Sequence, residues 1–380
     1  MNEYVEQLEN NGVEVAEAED RGGARWGVEV IAACAARFIK KSVGGLTFYD
    51  SVKGKDWDLS SGVCLKFVEI IGKKFSRGGK IYGYVDPGMI AAAENISNYS
   101  ENTDFSAFVN GVMERICHEA NDPNRKSISV GYVVFTHYKD LAGRDQILVV
   151  MLGKQDGYDF NDNDEMTPKD TESLNLQDFR QAACIDLTGF DLEYPKNEKD
   201  SYLCFIKGKS KSEFFNTALG CSDSVPGKVC VEHLKDALSA YFNEAADGLT
   251  ASDRRKIYGK VVTYIESKAG ERVHLSEIQH VINKCLPENS EHNGAFQRFL
   301  SDHSDRFKVS EEFQPSHVAA KNMGFVDVKL SSGDFDGKVK LDAIAVGEKG
   351  ADLSVDKDFA YLTIKLPPDV SLKLKGLSAD

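Results

Sequence analysis

The pair His118-Glu119 is the part of the chain that comes nearest to a helical zinc hydrolase motif. That motif needs a second histidine four residues after the first, with a glutamate beside the first histidine as the general base. Position 122 is Asp122, so one metal ligand is absent. The sequence therefore predicts no zinc hydrolase at this place.

The segment from Asp159 to Asp170 alternates oxygen-bearing side chains, as a calcium-binding loop does. Asp159, Asn161 and Asn163 have the required spacing. The glycine of the sharp turn is replaced by Asp164, and the final bidentate glutamate is replaced by Asp170. A weak divalent site stays open as an alternative, but we interpret this segment as a solvated acidic loop. We expect neither a metal nor a cofactor.

Two Gly-Lys segments resemble nucleotide or nucleophile motifs without matching them. Residues 72–81, GKKFSRGGKI, lack the spacing of a phosphate-binding loop and carry isoleucine where that loop needs a hydroxyl residue. Residues 208–212, GKSKS, depart from a nucleophile elbow at Ser212. A single imidazole such as His137, at the end of an apolar strand, is more often structural than a general base. We assign no catalytic residue and expect no enzymatic activity.

Basic residues cluster at three places along the chain. The clusters are Lys207, Lys209 and Lys211; Arg254, Arg255 and Lys256; and Lys73, Lys74, Arg77 and Lys80. Three charges on a helix usually form a solvated face, and Asp253 offers the second cluster a local partner. Each neutralised phosphate steepens the log–log salt dependence by about 0.9, so two clusters are enough for modest, sequence-independent DNA affinity. The sequence contains no base-reading motif.

The overall charge limits how these clusters can act. The 46 basic and 60 acidic side chains leave a net charge of −14, so nothing draws the whole molecule to nucleic acid or anionic lipid. Any contact with a polyanion must be local.

The longest apolar run, Ile147 to Leu152, is far shorter than the roughly twenty residues of a membrane span. The acidic start of the chain is unlike a targeting sequence, and the eight cysteines form no C-x-x-C motif, so we expect reduced thiols in the cytoplasm.

The elements that must position these residues indicate an α+β protein. We expect an N-terminal antiparallel sheet with helices, then a helical segment, and then a small C-terminal antiparallel sheet. Ser, Pro and Gly cluster at residues 222–228, where we place a domain boundary. The predicted organisation is an acidic arm at 1–26, an α+β domain at 27–222 and a helical region closing in sheet at 223–380.

Short segments rich in β-branched and aromatic residues predict the first sheet. They are residues 129–138, 146–154, 182–187 and 202–208. Seven residues separate the first two, too few for the helical crossover of parallel strands, so we expect these strands to pair antiparallel. Residues 26–40 fit either a buried helix or a strand that runs into one. Residues 155–178 are predicted to be a long loop.

Helical periodicity and terminators predict the remaining elements. The expected helices are at about 60–75, 103–120, 229–246, 251–268, 276–285 and 295–301. Alternating segments at 325–330, 338–346 and 360–366 predict closing strands, the last of them ended by Pro367-Pro368.

Several of these segments together resemble a known family. ACIDLTGFDLEYP followed by YLCFIKGKSKSEFFNTALGCSD is similar to the bacterial nucleoid-associated protein family called NdpA-like, as are VGYVVFTHYKDL, FQRFLSDHSDRFKVSEEFQPS, KVKLDAIAVGEKG and YLTIKLPPDV. The resemblance spans about residues 27–376 in the same order. It implies association with the nucleoid, DNA binding without an assigned enzymatic step, and contact with DNA-processing enzymes such as topoisomerases. Lys207 and Gly208 match the family's Lys-Gly, and Lys209 stands where the family has arginine.

Two main hypotheses follow from the clusters and the resemblance. The first is a non-enzymatic nucleoid-associated protein that binds double-stranded DNA with little sequence specificity; its candidate residues are Lys207, Lys209, Lys211, Arg254, Arg255 and Lys256. The second is an adaptor that docks onto a DNA-processing enzyme such as a topoisomerase and reaches the nucleoid indirectly. A nuclease with an Asp/Glu-bound metal is a third hypothesis. Whether the chain forms a homodimer stays open, and no membrane contact is expected.

Overall fold

A computed structural model gives the architecture of the protein. It describes residues 28–125, 128–160, 168–176, 179–197, 200–206, 213–221, 227–329, 336–346, 351–356 and 360–377. The acidic arm expected at 1–26 lies outside these residues. The described strands are β1 (Glu29–Val43), β2 (Leu46–Lys53), β3 (Lys80–Gly83), β4 (Gly131–Lys139), β5 (Asp145–Leu152), β6 (Lys154–Phe160), β7 (Pro168–Leu174), β8 (Gln181–Asp186), β9 (Leu203–Ile206), β10 (Val273–His274), β11 (Glu312–Phe313), β12 (Phe325–Lys329), β13 (Asp336–Lys340), β14 (Ala345–Val346), β15 (Leu353–Val355) and β16 (Leu362–Ile364).

The described helices complete an α+β fold, as predicted. They are α1 (Gly62–Arg77), α2 (Ile90–Asn102), α3 (Phe105–Ala120), α4 (Leu187–Glu193), α5 (Glu213–Ala218), α6 (Gly227–Glu244), α7 (Ala251–Ser267), α8 (Leu275–Asn283), α9 (Ala295–Asp302), α10 (Ser304–Phe307), α11 (His317–Met323) and α12 (Pro368–Leu377). None of these described helices is both long and apolar enough to cross a membrane.

Seven strands form one antiparallel sheet in the order β2-β1-β4-β5-β8-β9-β3. The antiparallel pairing predicted for β4 and β5 is confirmed, with Phe135 opposite Val149. Alternate residues of these strands face two separate hydrophobic clusters. Val134 and Val150 pack with Ile71 of α1 on one face, whereas Phe135 and Val149 belong to the larger cluster with α3 on the other. Since both faces are covered, the central strands β4 and β5 are mostly apolar.

The two edges of this sheet are capped by other parts of the chain. At β2, the Asn121 side chain accepts from the Tyr49 N–H at 2.7 Å and donates to the Tyr49 carbonyl at 2.9 Å, as a neighbouring strand would. At β3, the Glu311 N–H donates to the Lys80 carbonyl at 2.8 Å, and the Ser310 hydroxyl accepts from the Tyr82 N–H at 3.2 Å. These caps occupy backbone groups that an edge strand otherwise offers to another chain.

Two segments of the first half differ from the sequence prediction. Of residues 26–40, left open between helix and strand, those from Glu29 onward lie in β1, whose small apolar side chains face both covered sides of the sheet. The long loop predicted at 155–178 is wrong for most of its length, because β6 and β7 pair as an antiparallel hairpin from Lys154↔Leu174 to Phe160↔Pro168. The sequences of β6 and β7 are mostly polar and show no alternation of apolar and polar residues. The hairpin is held by backbone pairing, which leaves no such pattern in the sequence.

Helices α6 to α11 pack onto the larger cluster that begins under the sheet. The buried residues Leu234, Tyr241 and Val261 share this cluster with Phe205 of β9. The core is therefore continuous across the position near 222 where we place a domain boundary from the sequence. Helix α2 and helix α11 were absent from the prediction, because Asn and Ser interrupt the apolar stripe of α2 and α11 is only seven residues long.

The C-terminal part forms two small sheets instead of one. β12 pairs antiparallel with β13, whereas β15 lies between β14, which is parallel to it, and β16, which is antiparallel. The strand predicted at 338–346 is interrupted by a 3-10 turn at Leu341–Ala343. Pro367-Pro368 ends the sheet as predicted, and Pro368 also opens α12, since proline tolerates the first turn of a helix.

Candidate nucleic-acid interface

Helix α7 carries one of the basic clusters found in the sequence. It starts at a capping box, in which Thr250 accepts from the Asp253 N–H and the Asp253 carboxylate accepts from the Thr250 N–H. Hydrogen bonds donated to the carboxylate by the Thr250 hydroxyl and the Thr250 N–H, with a smaller contribution from the Lys256 charge, lower the pKa of Asp253. Ile257, Val261 and Ile265 form the buried stripe that fixes the rotation of the helix. Tyr258, Val262 and Tyr264 beside this stripe are half-buried, and most of the remaining residues of the helix are exposed.

The structure separates the members of this cluster. Arg254 is half-buried, and its guanidinium donates to the Leu249 and Ala246 carbonyls at 3.1 Å each, in the turn that connects α6 to α7. Arg255 and Lys256 are exposed instead. Arg254 is thus a structural cation, and two of the three predicted residues remain available to a ligand.

Lys260 extends the exposed cations by one helical turn. It lies four residues after Lys256 on α7 and is also exposed. No atom lies within 4 Å of the position that a Cβ of Gly259 would take, so the surface between these side chains is open. We call Arg255, Lys256 and Lys260 the α7 basic face. Sequence reasoning missed Lys260, although its i+4 spacing from Lys256 on a predicted helix was a usable signal.

No carboxylate of the described residues forms an ion pair with the α7 basic face. The one hydrogen bond found from these side chains goes from Arg255 Nε to the Ala251 carbonyl at 3.4 Å, near the limit for such a bond. Asp253, the partner expected from the sequence, is held by Thr250, with Oδ2 2.6 Å from the Thr250 hydroxyl. The arrangement therefore leaves three cationic groups on one side of a helix to neutralise phosphates.

The third basic cluster is mostly engaged. Lys73 pairs with Glu69 at 2.8 Å, and Lys74 donates to the Leu176 carbonyl at 2.8 Å. Lys80 is buried and donates to the Ser304 hydroxyl at 2.9 Å. Arg77 is exposed at the end of α1, with no ion pair among the described residues. It lines a cavity between the Gly78-Gly79 turn and α9.

Lys207, Lys209 and Lys211 lie outside the residues that the structure describes. β9 ends at Ile206, and Ile206 is paired with Lys80 at the edge of the sheet. The contribution of these three lysines therefore stays a prediction from sequence.

The residues tested for catalytic motifs occupy structural positions where they are described. His137 is buried between two partners, with Nδ1 2.7 Å from the Tyr99 hydroxyl and Nε2 3.0 Å from Asp145 Oδ1. Burial lowers the pKa of His137, and the hydrogen bond with Asp145 offsets this only in part. Across the described residues, no three His, Cys, Asp or Glu side chains come together as a metal site. The acidic segment 159–170 falls where side chains are not described, and its residues 161–167 lie outside the described residues.

Comparison with known proteins places the chain in a family. A family model described as nucleoid-associated protein YejK matches residues 48–369. A nucleoid-associated protein YejK from Salmonella arizonae is 25% identical over 319 residues, which are 82% of this chain and 87% of that relative. Nucleoid-associated proteins from Metapseudomonas resinovorans and Pseudomonas fluorescens are 27% and 28% identical; each alignment covers 56% of this chain and 63% of the relative, so the chain spans less than two thirds of their length.

The family match and the fold agree with each other. The matched residues run from β2 to the start of α12, so they include the seven-stranded sheet except β1, the helical segment and the closing sheets. The resemblance stated from the sequence is thereby confirmed. This chain belongs to the nucleoid-associated protein YejK family.

Proposed function

We propose that this protein associates with the bacterial nucleoid by binding double-stranded DNA directly, with little sequence specificity and without a chemical step. The α7 basic face carries the proposal, because its three cations are exposed and free of carboxylate partners among the described residues. Lys207, Lys209 and Lys211 are proposed as a second contact. The names of the relatives support the nucleoid as the place of action.

The charge of the whole molecule makes this contact local. With a net charge of −14, most of the surface repels DNA, and only a patch of unpaired cations attracts it. An exposed lysine or arginine that is not paired gains a phosphate without losing an internal ion pair. Release of condensed counterions from the DNA then supplies the binding free energy. We therefore expect modest affinity that falls steeply with salt.

Low sequence specificity follows from the kind of side chains available. Reading base edges requires side chains inserted into a groove, with Arg, Asn or Gln aligned on donors and acceptors of the bases. The α7 basic face offers two lysines and one arginine on a short exposed stretch, and such groups serve phosphate contacts. The α7 basic face is therefore suited to contact the phosphate backbone of any DNA duplex, whatever its base sequence.

The test is the salt dependence of duplex binding by the full chain, measured by fluorescence anisotropy at several salt concentrations. The variant is the triple substitution Arg255→Gln, Lys256→Gln and Lys260→Gln. Its log–log slope should be shallower by about 2.7, since each of three phosphates contributes about 0.9. A matched control replaces Arg37, Lys55 and Lys66, three exposed cations elsewhere on the surface, by glutamine.

The two triple variants remove the same charge, so only position distinguishes them. An equal change of slope in both would mean that net charge alone matters and would refute the α7 basic face as the contact. A third variant with Lys207, Lys209 and Lys211 changed to glutamine measures the second contact. If the unaltered chain shows no salt-sensitive binding even at low salt, direct DNA contact is wrong. A partner retained after nuclease treatment would then support the adaptor hypothesis.

A further inference from the structure

A cavity of about 300 Å³ opens between the sheet and the helical segment. Its walls are the end of α1 with the Gly78-Gly79 turn, the start of β3, and helices α8 and α9. Leu275, Leu300 and Val309 form an apolar part of the lining, and all three are buried. A pocket of this size that combines apolar lining with convergent polar groups can hold a small molecule.

Three cationic side chains line this cavity. Arg77 and Arg298 are exposed, and neither forms an ion pair with a described carboxylate. Lys80 is 7% exposed and lies at the cavity wall with its ammonium 2.9 Å from Ser304 Oγ. Its nearest described carboxylate is Asp305, at 3.8 Å. A buried ammonium with three donors and one short hydrogen bond has further donors for an anionic ligand.

One carboxylate, that of Glu311, also lines the cavity. A Cβ added to Gly79 would fall 1.2 Å from Glu311 Oε2, so the carboxylate lies directly against the backbone of the Gly78-Gly79 turn. Within the described part of the chain, this carboxylate has no side-chain hydrogen bond or ion pair. It is an acceptor placed among cations, suited to hydroxyl or amino donors on the same ligand that carries the anion.

We propose that this cavity binds the 5′-phosphate and nucleoside of a nucleotide, either free or at the 5′ end of a DNA strand. Arg77, Arg298 and Lys80 hold the phosphate through charge-assisted hydrogen bonds. The apolar wall takes the base, and Glu311 accepts from a sugar hydroxyl or a base amino group. The site lies outside the α7 basic face, so it is independent of the proposed duplex contact.

The nucleoside part of the ligand is required by the size and chemistry of the cavity. Inorganic phosphate alone would leave the apolar wall unfilled, and it carries no sugar hydroxyl or base amino group to donate to Glu311. A nucleoside attached to the phosphate fills the wall and supplies those donors. Removing apolar surface from water then adds to the affinity.

The test is titration calorimetry of the full chain with adenosine 5′-monophosphate, guanosine 5′-monophosphate and inorganic phosphate. We expect a nucleotide to bind at least about tenfold more tightly than phosphate. The double variant Arg77→Gln and Arg298→Gln should weaken nucleotide binding at least about tenfold, since it removes two charge-assisted hydrogen-bond donors to the phosphate. The control is Arg37→Gln with Lys66→Gln, which removes the same charge outside the cavity and should change nothing.

A third variant, Glu311→Gln, tests the role of the carboxylate. It should bind phosphate more tightly, because a repelling charge is gone, while its preference for nucleotide over phosphate shrinks. Thermal unfolding of each variant shows that the fold is kept, and both arginines are exposed, so we expect no loss of stability. Competition by a 5′-phosphorylated oligonucleotide, but not by its 5′-hydroxyl form, would identify the DNA end as the source.

Three results would overturn the proposal. They are no nucleotide binding up to about 1 mM, equal binding of phosphate and nucleotides, and equal weakening in the control and the arginine variants. The gel-shift of duplex DNA with 5′-hydroxyl ends by these cavity variants should match that of the unaltered chain. Failure of the cavity proposal is therefore distinguishable from failure of the duplex contact.

Discussion

The cations of the sheet region and those of α7 have different neighbours. Arg115 on α3 donates to the Ala218 carbonyl at 2.8 Å, to Asn95 Oδ1 at 3.0 Å and to the Ala91 carbonyl at 3.3 Å. Arg144 is bonded to Asp140 at 2.8 Å. On α7, Lys256 has no hydrogen-bond or ion-pair partner among the described residues, and Arg255 has only a long hydrogen bond to the Ala251 carbonyl at 3.4 Å. Whether a cation is available to a polyanion thus depends on the acceptors that the fold places around it, and its presence in the sequence is not enough.

The largest loss of stability among these cations is expected when Arg115 is replaced. The change Arg115→Met leaves two carbonyls and an amide oxygen without their donor, and we expect the free energy of unfolding to fall by about 3 kcal/mol. Urea denaturation measures it. Arg37→Met, at an exposed position, is the matched control and should change stability by less than about 0.5 kcal/mol. Equal losses in both would mean that Arg115 is no more structural than a surface cation.

A smaller effect is expected at Arg254, inside the basic cluster itself. Arg254→Met removes the donor of the Leu249 and Ala246 carbonyls, so stability should fall by about 1–2 kcal/mol. The slope of DNA affinity against salt should stay the same, because this guanidinium is already engaged. A slope reduced by about 0.9 would show that Arg254 contacts phosphate and would contradict the division of the cluster.

Acidification should weaken the sheet region through His137. Burial lowers the pKa of His137 below its ordinary value of 6.5, while Asp145 and Lys139 act in opposite directions on it. The unfolded chain then binds this proton more readily than the folded one, so the contribution to stability is present above pH 6.5 and is lost as the pH falls below it. Unfolding at pH 7.5 and 5.5 should show a smaller acid loss in His137→Asn than in the unaltered chain. An equal loss would place the sensitivity elsewhere.

The sequence predicted the parts of the fold that depend on apolar pattern. The strands near Phe135 and Val149 and the helix with Ile257 and Val261 were found because burial on a face imposes a period on the chain. The β6–β7 hairpin was missed, since polar strands that pair with each other leave no such period. The sequence also did not show which cations have internal partners and which are available to a ligand. Arg254 and Arg255 are adjacent and of the same type, and only the carbonyls of the turn before α7, which lie beside Arg254, separate their roles.

The group of residues that lines the cavity could not be predicted from the sequence either. Arg77 was noticed in the sequence as part of a charge cluster, but Arg298 and Glu311 come from distant segments and carry no local signal. Their proximity arises because the 310–311 segment caps β3 and α9 packs beside it. Residues that converge in space without a sequence motif require the structure.

The smallest expected effect is the change in salt slope caused by a single substitution within the α7 basic face. It tests most directly whether an unpaired cation contacts DNA. Lys256→Gln should reduce the log–log salt slope by about 0.9 and leave stability unchanged within about 0.5 kcal/mol, because its ammonium contacts no protein acceptor found in the structure. Lys321→Gln, another exposed lysine on a helix, serves as the control and should leave the slope unaltered. Lys260→Gln should match Lys256→Gln if both lysines contact phosphate. A change at Lys256 alone would restrict the contact to the first turns of α7, since Lys260 lies one turn further along the helix.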